Sequence, residues 1–242
     1  MASKTFGSCC FKTTLHEGTP IGKHEQLFGS KTYIVGENKG KIIVILTDVF
    51  GNSYLNNKLI ADELSRNGYC VVMPDLFGGD DADLTQPNAF AALQPWLAKH
   101  QKLTPGIVDS FLQQLRAEWK PSFVGGIGHC YGAKYVVQHM TTTGEFDAGA
   151  LAHPTNITVE EVEACDKPLL INAAETDRIF PEELRRKTED ILKANKNVYE
   201  TVIFGGVTHG FAVRCDPSVP AQRYAKEKTL CDQVMWFNNF SA

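Results

Sequence analysis

A cysteine flanked by glycines stands in the segment Gly128–Gly132, which reads Gly-His-Cys-Tyr-Gly. The segment follows an apolar run that predicts a strand, Ser122–Ile127, and precedes a predicted helix, Ala133–Met140. A nucleophile on such a sharp strand-to-helix turn sits in strained backbone, and flanking glycines let the turn close. The start of a helix also favours an anion such as a thiolate, the reactive form of cysteine. Cys130 is therefore the predicted nucleophile.

An acid and a histidine follow this cysteine in the chain order of α/β-hydrolases, in which the nucleophile precedes the acid and the acid precedes the histidine. Asp177 comes just after a predicted strand, and His209 lies in a glycine-flanked loop after the last predicted strand. In a triad, the histidine takes the proton of the nucleophile and the acid orients the imidazole ring. Glu175 is the nearest alternative acid, and a carboxylate at Asp177 could instead cap the following helix.

Acyl transfer also needs two N–H donors for the oxyanion of the tetrahedral intermediate. In this architecture one donor is the backbone N–H after the nucleophile, and the other comes from the loop after an early strand. Tyr131 follows Cys130, and Val49 follows the apolar run at Ile42–Thr47. The backbone N–H groups of Tyr131 and Val49 are the predicted oxyanion hole.

Apolar, β-branched runs alternate with helical patterns from residue 31 to the C-terminus, which predicts an α/β fold with a mainly parallel sheet. No linker or repeat interrupts this alternation, so residues 1–242 are predicted to form a single domain. The predicted strands are Lys31–Val35, Lys41–Thr47, Cys70–Pro74, Ser122–Ile127, Ala148–Ala152, Leu169–Ala173 and Tyr199–Phe204. Besides the helix after Cys130, the predicted helices are Ser53–Asn67, Pro105–Lys120, Pro181–Ala194 and Pro220–Phe240.

The segment Leu76–Lys102 differs from its neighbours, because glycines and two prolines, Pro87 and Pro95, interrupt any regular pattern. We expect an irregular excursion with short helical pieces such as Asn88–Leu93. Excursions from the carboxyl ends of parallel strands carry binding groups in α/β folds, so substrate contacts are expected here.

Composition excludes several classes of protein. The net charge is −4 and no stretch has clustered lysine and arginine, which argues against a nucleic-acid partner. No apolar run reaches membrane-spanning length and the N-terminus lacks a signal-peptide pattern, so we expect a cytoplasmic protein with no membrane partner. The seven cysteines are odd in number, scattered and without a Cys-x-x-Cys pair, which fits free thiols rather than disulfides or a zinc site.

Four motifs stand in order along the chain, namely Leu46–Gly51, Pro74–Gly79, Gly128–Gly132 and His209–Phe211. Together they make the sequence similar to the dienelactone hydrolase family, and to its fungal members in particular. The resemblance implies an α/β-hydrolase fold, with about seven to eight strands and helices on both faces of the sheet. It also implies a Cys-Asp-His triad that hydrolyses small lactones or esters, with no metal and no organic cofactor. Gly7–Phe11 and Tyr224–Lys228 are further similarities to the fungal branch.

The same resemblance implies a carboxylate after the early strand that helps to deprotonate the thiol when substrate arrives. The matching residue is Asp48, which is one methylene shorter than the glutamate of the bacterial enzymes. It also implies two arginines that hold a substrate carboxylate. Arg214 lies near the second of these positions, and no arginine between Arg66 and Arg116 matches the first. The missing arginine argues against dienelactone itself as the substrate.

Other charged groups could replace the missing arginine, namely Lys99, His100 or Lys102, although solvated surface positions are the simpler interpretation for all three. His129 is next to the nucleophile and is expected to contact substrate. Two alternatives stay open: a redox-responsive thiol at Cys130, and a binding protein that has kept the fold without its chemistry. The chain is expected to be a monomer or a homodimer.

Overall fold

The centre of the molecule is an eight-stranded sheet with the strand order β1-β2-β4-β3-β5-β6-β7-β8. The pairs from β4 through β8 are all parallel, whereas β1 and β2 pair antiparallel at one edge. The structure is a computed structural model that describes residues 16–83 and 89–242. The strands are β1 (Lys23–Leu27), β2 (Ser30–Val35), β3 (Lys41–Leu46), β4 (Cys70–Pro74), β5 (Phe123–His129), β6 (Ala148–Ala152), β7 (Leu169–Thr176) and β8 (Tyr199–Thr208).

Helices cover both faces of this sheet, which confirms the predicted α/β-hydrolase architecture. One face packs against α1 and α7, and the other against α2, α3, α4 and α5. The helices are α1 (Leu55–Ser65), α2 (Ala89–Trp119), α3 (Gly132–Gln138), α4 (Val159–Glu163), α5 (Glu182–Ala194), α6 (Phe211–Arg214) and α7 (Pro220–Phe240). Within the described residues, no helix has the length and apolar content needed to cross a membrane.

All seven predicted strands are present, and β1 is an additional one. The residues of β1, Lys23–Leu27, are mostly polar and at least partly exposed, so no apolar run marks them as a strand. The strand forms instead by pairing with β2 across a two-residue turn, Phe28-Gly29, whose two residues both have positive φ angles of 49° and 79°. Such a turn matches the twist of a β-hairpin.

The prediction of an irregular excursion up to Lys102 is wrong for its second half. Residues Ala89–Trp119 form one continuous helix, α2, with Pro95 and Pro105 inside it. A proline inside a helix removes one hydrogen bond and costs about 3 kcal/mol, so the sequence pattern favoured a break. The helix continues because one long apolar side, from Leu93 to Leu115, is buried in the core. Pro87 and the first residue of the predicted piece Asn88–Leu93 lie outside the described residues.

The carboxyl ends of the parallel strands all lie on one side of the sheet, and the predicted site residues lie in the segments that follow these ends. Asp48 and Val49 follow β3, Cys130 follows β5, Asp177 follows β7 and His209 follows β8. Since carboxyl ends of parallel strands meet at one edge, residues distant in sequence are brought together there. The similarity at Gly7–Phe11 lies outside the described residues.

Candidate active site

The turn between β5 and α3 has the tight geometry predicted from its glycines. Cys130 has a positive φ angle of 50° and is fully buried. A Cβ atom on Gly128 would lie 2.5 Å from the Cα atom of Ala133, and one on Gly132 would lie 2.0 Å from the carbonyl oxygen of Leu46. Both positions therefore admit only glycine, because neighbouring backbone occupies the space of any side chain.

The thiol of Cys130 faces the imidazole ring of His209. The distance from Cys130 Sγ to His209 Nε2 is 3.1 Å, and His209 Nδ1 lies 2.8 Å from Asp177 Oδ2. A carboxylate can only accept hydrogen bonds, so Nδ1 carries the hydrogen and Nε2 is left to accept a proton from the thiol. The three residues predicted as a triad thus lie in one row of contacts, and all three are buried.

Asp177 is held in place by the backbone that follows it. Its second oxygen, Oδ1, accepts hydrogen bonds from the N–H groups of Ile179 and Phe180 at 2.8 and 3.1 Å. Burial alone raises the pKa of this carboxyl, but the attraction to His209 and these N–H donors outweigh burial and lower it. The alternative acid, Glu175, is exposed and accepts a hydrogen bond from the N–H of Gly206 instead.

Two residues that the sequence analysis missed also contact the triad: Thr155 contacts Cys130, and His153 contacts His209. Thr155 Oγ1 lies 3.3 Å from Cys130 Sγ, and the Thr155 N–H donates to the carbonyl oxygen of Cys130 at 3.1 Å. The ring of His153 lies edge-on to that of His209, with 4.9 Å between their centroids. Both residues lie within three positions of the end of β6, the strand paired with β5. Their position after a predicted strand was the available signal, because the carboxyl ends of parallel strands meet at one edge of a sheet.

His153 is fully buried, and neither of its ring nitrogens has a hydrogen-bond partner among the residues that the structure describes. Burial, followed by repulsion from His209, His129 and Arg214, holds the pKa of His153 well below its usual value. One ring nitrogen of His153, one of His209 and the Cys130 sulfur all lie within 4.8 Å of one another. These are atoms that could hold a metal ion.

The two predicted oxyanion donors, Val49 and Tyr131, belong to adjacent segments. Pairing of β3 with β5 places Leu46 opposite Gly128, and the N–H of Gly132 donates to the carbonyl oxygen of Thr47 at 3.0 Å. These contacts bind the start of α3 to the end of β3. The Tyr131 hydroxyl contacts the hydroxyl groups of Thr104 and Tyr135 at 2.9 Å each.

Asp48 lies beside Arg214 in the interior, with 3.7 Å between Asp48 Oδ2 and Arg214 Nε. The other oxygen of Asp48 accepts hydrogen bonds from the Asn57 side chain at 3.1 Å and from the Phe50 N–H at 3.3 Å. Burial raises the pKa of Asp48 despite the attraction of Arg214 and these donors. The guanidinium group also lies over the Phe50 ring, 5.2 Å from its centroid.

His129 faces the side of the sheet covered by α1 and α7. Its ring is nearly parallel to that of His153, with 6.1 Å between centroids, and it lines a cavity of about 240 Å³ together with Ala212, Thr229 and Gln233. Burial lowers the pKa of His129 to about 4, which keeps the ring neutral. Contact between His129 and substrate stays a prediction.

The segment after β4 packs against the start of α3 through aromatic rings. Phe77 and Trp96 lie 5.3 and 6.0 Å from the Tyr131 ring. His100 is buried and Lys99 is exposed, and both contact the carboxylate of Asp80, at 2.9 and 2.7 Å. The interpretation of His100 as a solvated surface residue is therefore wrong, whereas Lys102 is exposed as expected.

Comparisons with known proteins place the chain in a family of hydrolases. The model of the dienelactone hydrolase family matches residues 30–241. Hydrolase pyvD of Aspergillus violaceofuscus is 38% identical over 244 residues, covering 99% of each chain. Dienlactone hydrolase 1 of Gibberella moniliformis is 30% identical, covering 95% of this chain and 92% of that protein. A Klebsiella pneumoniae structure assigned as a dienelactone hydrolase superimposes with a TM-score of 0.75 at 14% identity, over 91% of this chain and 99% of that one.

Proposed function

The chain belongs to the dienelactone hydrolase family and is a carboxylic ester or lactone hydrolase, and we propose that Cys130 is its nucleophile, with His209 as general base and Asp177 as the orienting acid. The observation that carries this proposal is the row of contacts from Cys130 Sγ to His209 Nε2 (3.1 Å) and from His209 Nδ1 to Asp177 Oδ2 (2.8 Å). A nucleophile and base within hydrogen-bond reach, with the base oriented by a third group, are what covalent catalysis requires.

In the first half of the reaction, His209 Nε2 takes the thiol proton and Cys130 Sγ attacks the carbonyl carbon of the substrate. The resulting tetrahedral intermediate collapses when the C–O bond to the alcohol breaks, and the imidazolium of His209 returns the proton to the leaving oxygen. A thioester of Cys130 remains. For a lactone, the released hydroxyl stays attached to the acyl chain.

In the second half, a water molecule gives a proton to His209 and attacks the thioester carbonyl. The second intermediate releases Cys130 as thiolate, which regains the proton, and the acid product leaves. The ionised carboxylate of Asp177 stabilises the imidazolium in both halves, and its lowered pKa keeps it ionised at neutral pH.

We assign the oxyanion hole to the backbone N–H groups of Val49 and Tyr131. The hydrogen bond from the N–H of Gly132 to the carbonyl oxygen of Thr47 supports this assignment, because it holds the segments of the two donors together. Donors fixed before the reaction stabilise the developing negative charge at no cost of reorganisation.

Asp48 and Arg214 are proposed to act as a pair on the same reaction. Arg214 binds a polar or anionic group of a small ester or lactone, and Asp48 is the carboxylate that assists removal of the thiol proton. Their ion pair, with Arg214 Nε 3.7 Å from Asp48 Oδ2, supports coupling between the two roles. If Asp48 assists the thiol, Asp48→Asn slows acylation of Cys130, and an unchanged acylation rate would remove it from the mechanism.

The proposal also includes a cytoplasmic location, since a nucleophilic thiol persists in a reducing compartment. The cysteines that the structure describes, Cys70, Cys130, Cys165, Cys215 and Cys231, are free of disulfides.

The decisive test compares Cys130→Ala with Cys231→Ala on p-nitrophenyl esters and a panel of small lactones. We expect Cys130→Ala to lower kcat/KM by at least about a thousandfold, because the acyl-enzyme cannot form. The control removes an exposed cysteine of α7 and should leave hydrolysis unchanged. Mass spectrometry should find an acyl adduct on Cys130. Near-normal turnover by Cys130→Ala would refute the nucleophile, and selective peroxide oxidation of Cys130 without esterase turnover would favour a redox-responsive thiol.

A further inference from the structure

His153 is a buried polar side chain that the proposed hydrolysis does not use. It follows β6 directly and its backbone has a positive φ angle of 41°. Its N–H donates to the carbonyl oxygen of Asn172, which fixes the backbone next to the site. Both of its ring nitrogens are buried and, within residues 16–83 and 89–242, neither has a hydrogen-bond partner on another residue. Leaving such a group unsatisfied costs about 1–3 kcal/mol, so its retention calls for a ligand.

The nearest groups able to share a ligand with His153 are Cys130 and His209. The Cys130 sulfur and one ring nitrogen from each histidine lie within 4.8 Å of one another, and the distance from Cys130 Sγ to His209 Nε2 is 3.1 Å. Around a tetrahedral zinc ion, bond lengths of about 2.0–2.3 Å place neighbouring ligand atoms roughly 3.3–3.6 Å apart. Small side-chain movements bring the three atoms into that range.

The surroundings also match those of a metal site. Asp177 Oδ2 lies 2.8 Å from His209 Nδ1, so the carboxylate fixes the ring and directs Nε2 towards the sulfur. Metal-bound histidines commonly make this contact through their other nitrogen. The two other histidines and Arg214 repel positive charge at His153. Two of these groups are paired with carboxylates, because Asp48 Oδ2 lies 3.7 Å from Arg214 Nε and Asp177 Oδ2 lies 2.8 Å from His209 Nδ1.

The ligand set determines which cation it suits. One thiolate and two imidazoles favour zinc and cadmium over magnesium and calcium, which prefer oxygen ligands. We propose that Cys130, His153 and His209 bind one soft divalent cation such as Zn²⁺, and that the bound ion inhibits hydrolysis. The second part rests on the proposed function, since the ion would occupy both the nucleophile and the base.

Binding is balanced by proton release. The cation replaces the proton of the Cys130 thiol, and that proton passes to solvent. The two imidazoles donate lone pairs without losing a proton. A water molecule completes the tetrahedron. Neither oxidation nor reduction takes place.

The test uses Cd²⁺ alone as the probe and the ultraviolet charge-transfer absorbance of a cadmium–thiolate bond as the readout. The background protein is the full chain carrying Cys9→Ser, Cys10→Ser and Cys231→Ser. These changes remove the exposed Cys231 and the two cysteines that lie outside the described residues, so the cysteines that remain are buried. We expect one equivalent of Cd²⁺ to produce the absorbance, and Cys130→Ser to abolish it. No absorbance in the background protein would overturn the proposal.

The contribution of His153 is tested with His153→Phe, which fills the same space without a lone pair, and with His153→Asn in case the first variant does not fold. Either change should weaken Cd²⁺ affinity at least about tenfold. The matched control is His139→Phe. His139 lies at the C-terminal end of α3 and contacts Asp109, so this variant should leave the Cd²⁺ affinity unchanged. Equal affinity in the His153 variants would exclude His153 as a ligand and refute the site.

Inhibition is measured separately as the Zn²⁺ concentration that halves ester hydrolysis. That concentration should rise at least about tenfold in the His153 variant, in parallel with the loss of Cd²⁺ affinity. Tight Cd²⁺ binding without Zn²⁺ inhibition would overturn the inhibitory role. Failure of the proposed nucleophile is distinguishable, since Cys130→Ala would then hydrolyse esters normally whatever the cadmium titration shows.

Discussion

At the scale of single residues, two polar side chains in the described part of the chain lie within hydrogen-bond distance of the Cys130 thiol. His209 Nε2 lies 3.1 Å from the sulfur and Thr155 Oγ1 lies 3.3 Å from it. The imidazole can accept the thiol proton, whereas the threonine hydroxyl can donate a hydrogen bond to the thiolate that results. Thr155 is therefore placed to stabilise the reactive form without taking part in proton transfer.

Thr155→Val tests this role, because valine keeps the shape of the side chain but cannot donate. A hydrogen bond to a charged group contributes about 1.5–3 kcal/mol, so the rate of Cys130 alkylation by iodoacetamide at neutral pH should fall about tenfold. The control is Thr188→Val, which removes a buried hydroxyl that donates to the Leu184 carbonyl on α5. Identical alkylation rates for Thr155→Val and the unchanged protein would show that the hydroxyl does not support the thiolate.

At the scale of elements, the site depends on how closely α3 approaches the end of β3. Gly132 allows this approach, since a Cβ atom there would lie 2.0 Å from the Leu46 carbonyl oxygen. That oxygen belongs to the strand backbone and cannot move aside cheaply. The contact couples the position of the nucleophile to the loop that carries Asp48 and Val49.

Gly132→Ala should therefore lower the free energy of unfolding by at least about 2 kcal/mol, because the added atom forces the two backbones apart. Hydrolysis should fall with it, as the predicted oxyanion donors separate. The contrasting variant is Gly106→Ala within α2, where an added Cβ meets nothing within 4 Å. That change should stabilise the protein by about 0.5–1 kcal/mol. Urea unfolding measures the free energy of unfolding of both variants. An unchanged value for Gly132→Ala would disprove the tight contact between α3 and the end of β3.

At the scale of the whole molecule, the half-buried carboxyl group of Asp81, in the segment after β4, links stability to pH. The pKa of Asp81 is raised to about 6, first by burial and then by repulsion from the carboxylates of Asp75 and Asp48. A folded-state pKa above the unfolded value means that protonated Asp81 is favoured in the folded protein. The contribution of Asp81 to the free energy of unfolding is fully present at acid pH, below the unfolded-state pKa, and is lost as the pH rises through about 6.

Asp81→Asn should accordingly stabilise the protein by about 1–2 kcal/mol more at pH 7.5 than at pH 4.5, after allowance for the partial exposure of the side chain. Asp80→Asn is the control of opposite sign, because hydrogen bonds from Lys99 and His100 lower the pKa of Asp80 and its contribution is present above the unfolded pKa. Urea titrations at the two pH values measure both variants. A gain from Asp81→Asn that did not change with pH would contradict the assigned cause.

The same titrations test the prediction that residues 1–242 form one domain. A single sheet that runs from β1 to β8, with helices on both faces, should unfold in one cooperative transition. Two separate transitions would indicate two independently stable parts.

The positions of seven of the eight strands, and the types of residue that follow them, were determined by the sequence alone. Every predicted strand is present, because a buried parallel strand needs a short apolar run and such runs are local patterns. The residues proposed as nucleophile, acid and base were identifiable from their positions after three of these strands. The glycines around Cys130 indicated the tight turn for the same local reason.

The tertiary structure decided which side chains meet. His153 and Thr155 contact the triad only because β6 pairs with β5, and strand order depends on interactions between distant segments. Arg214 reaches Asp48 because α6 lies against α1, although 166 residues (214 − 48) separate the pair in the chain. The tertiary structure also decided that α2 continues through its two prolines, because burial of its long apolar face outweighed the local preference of proline to break a helix.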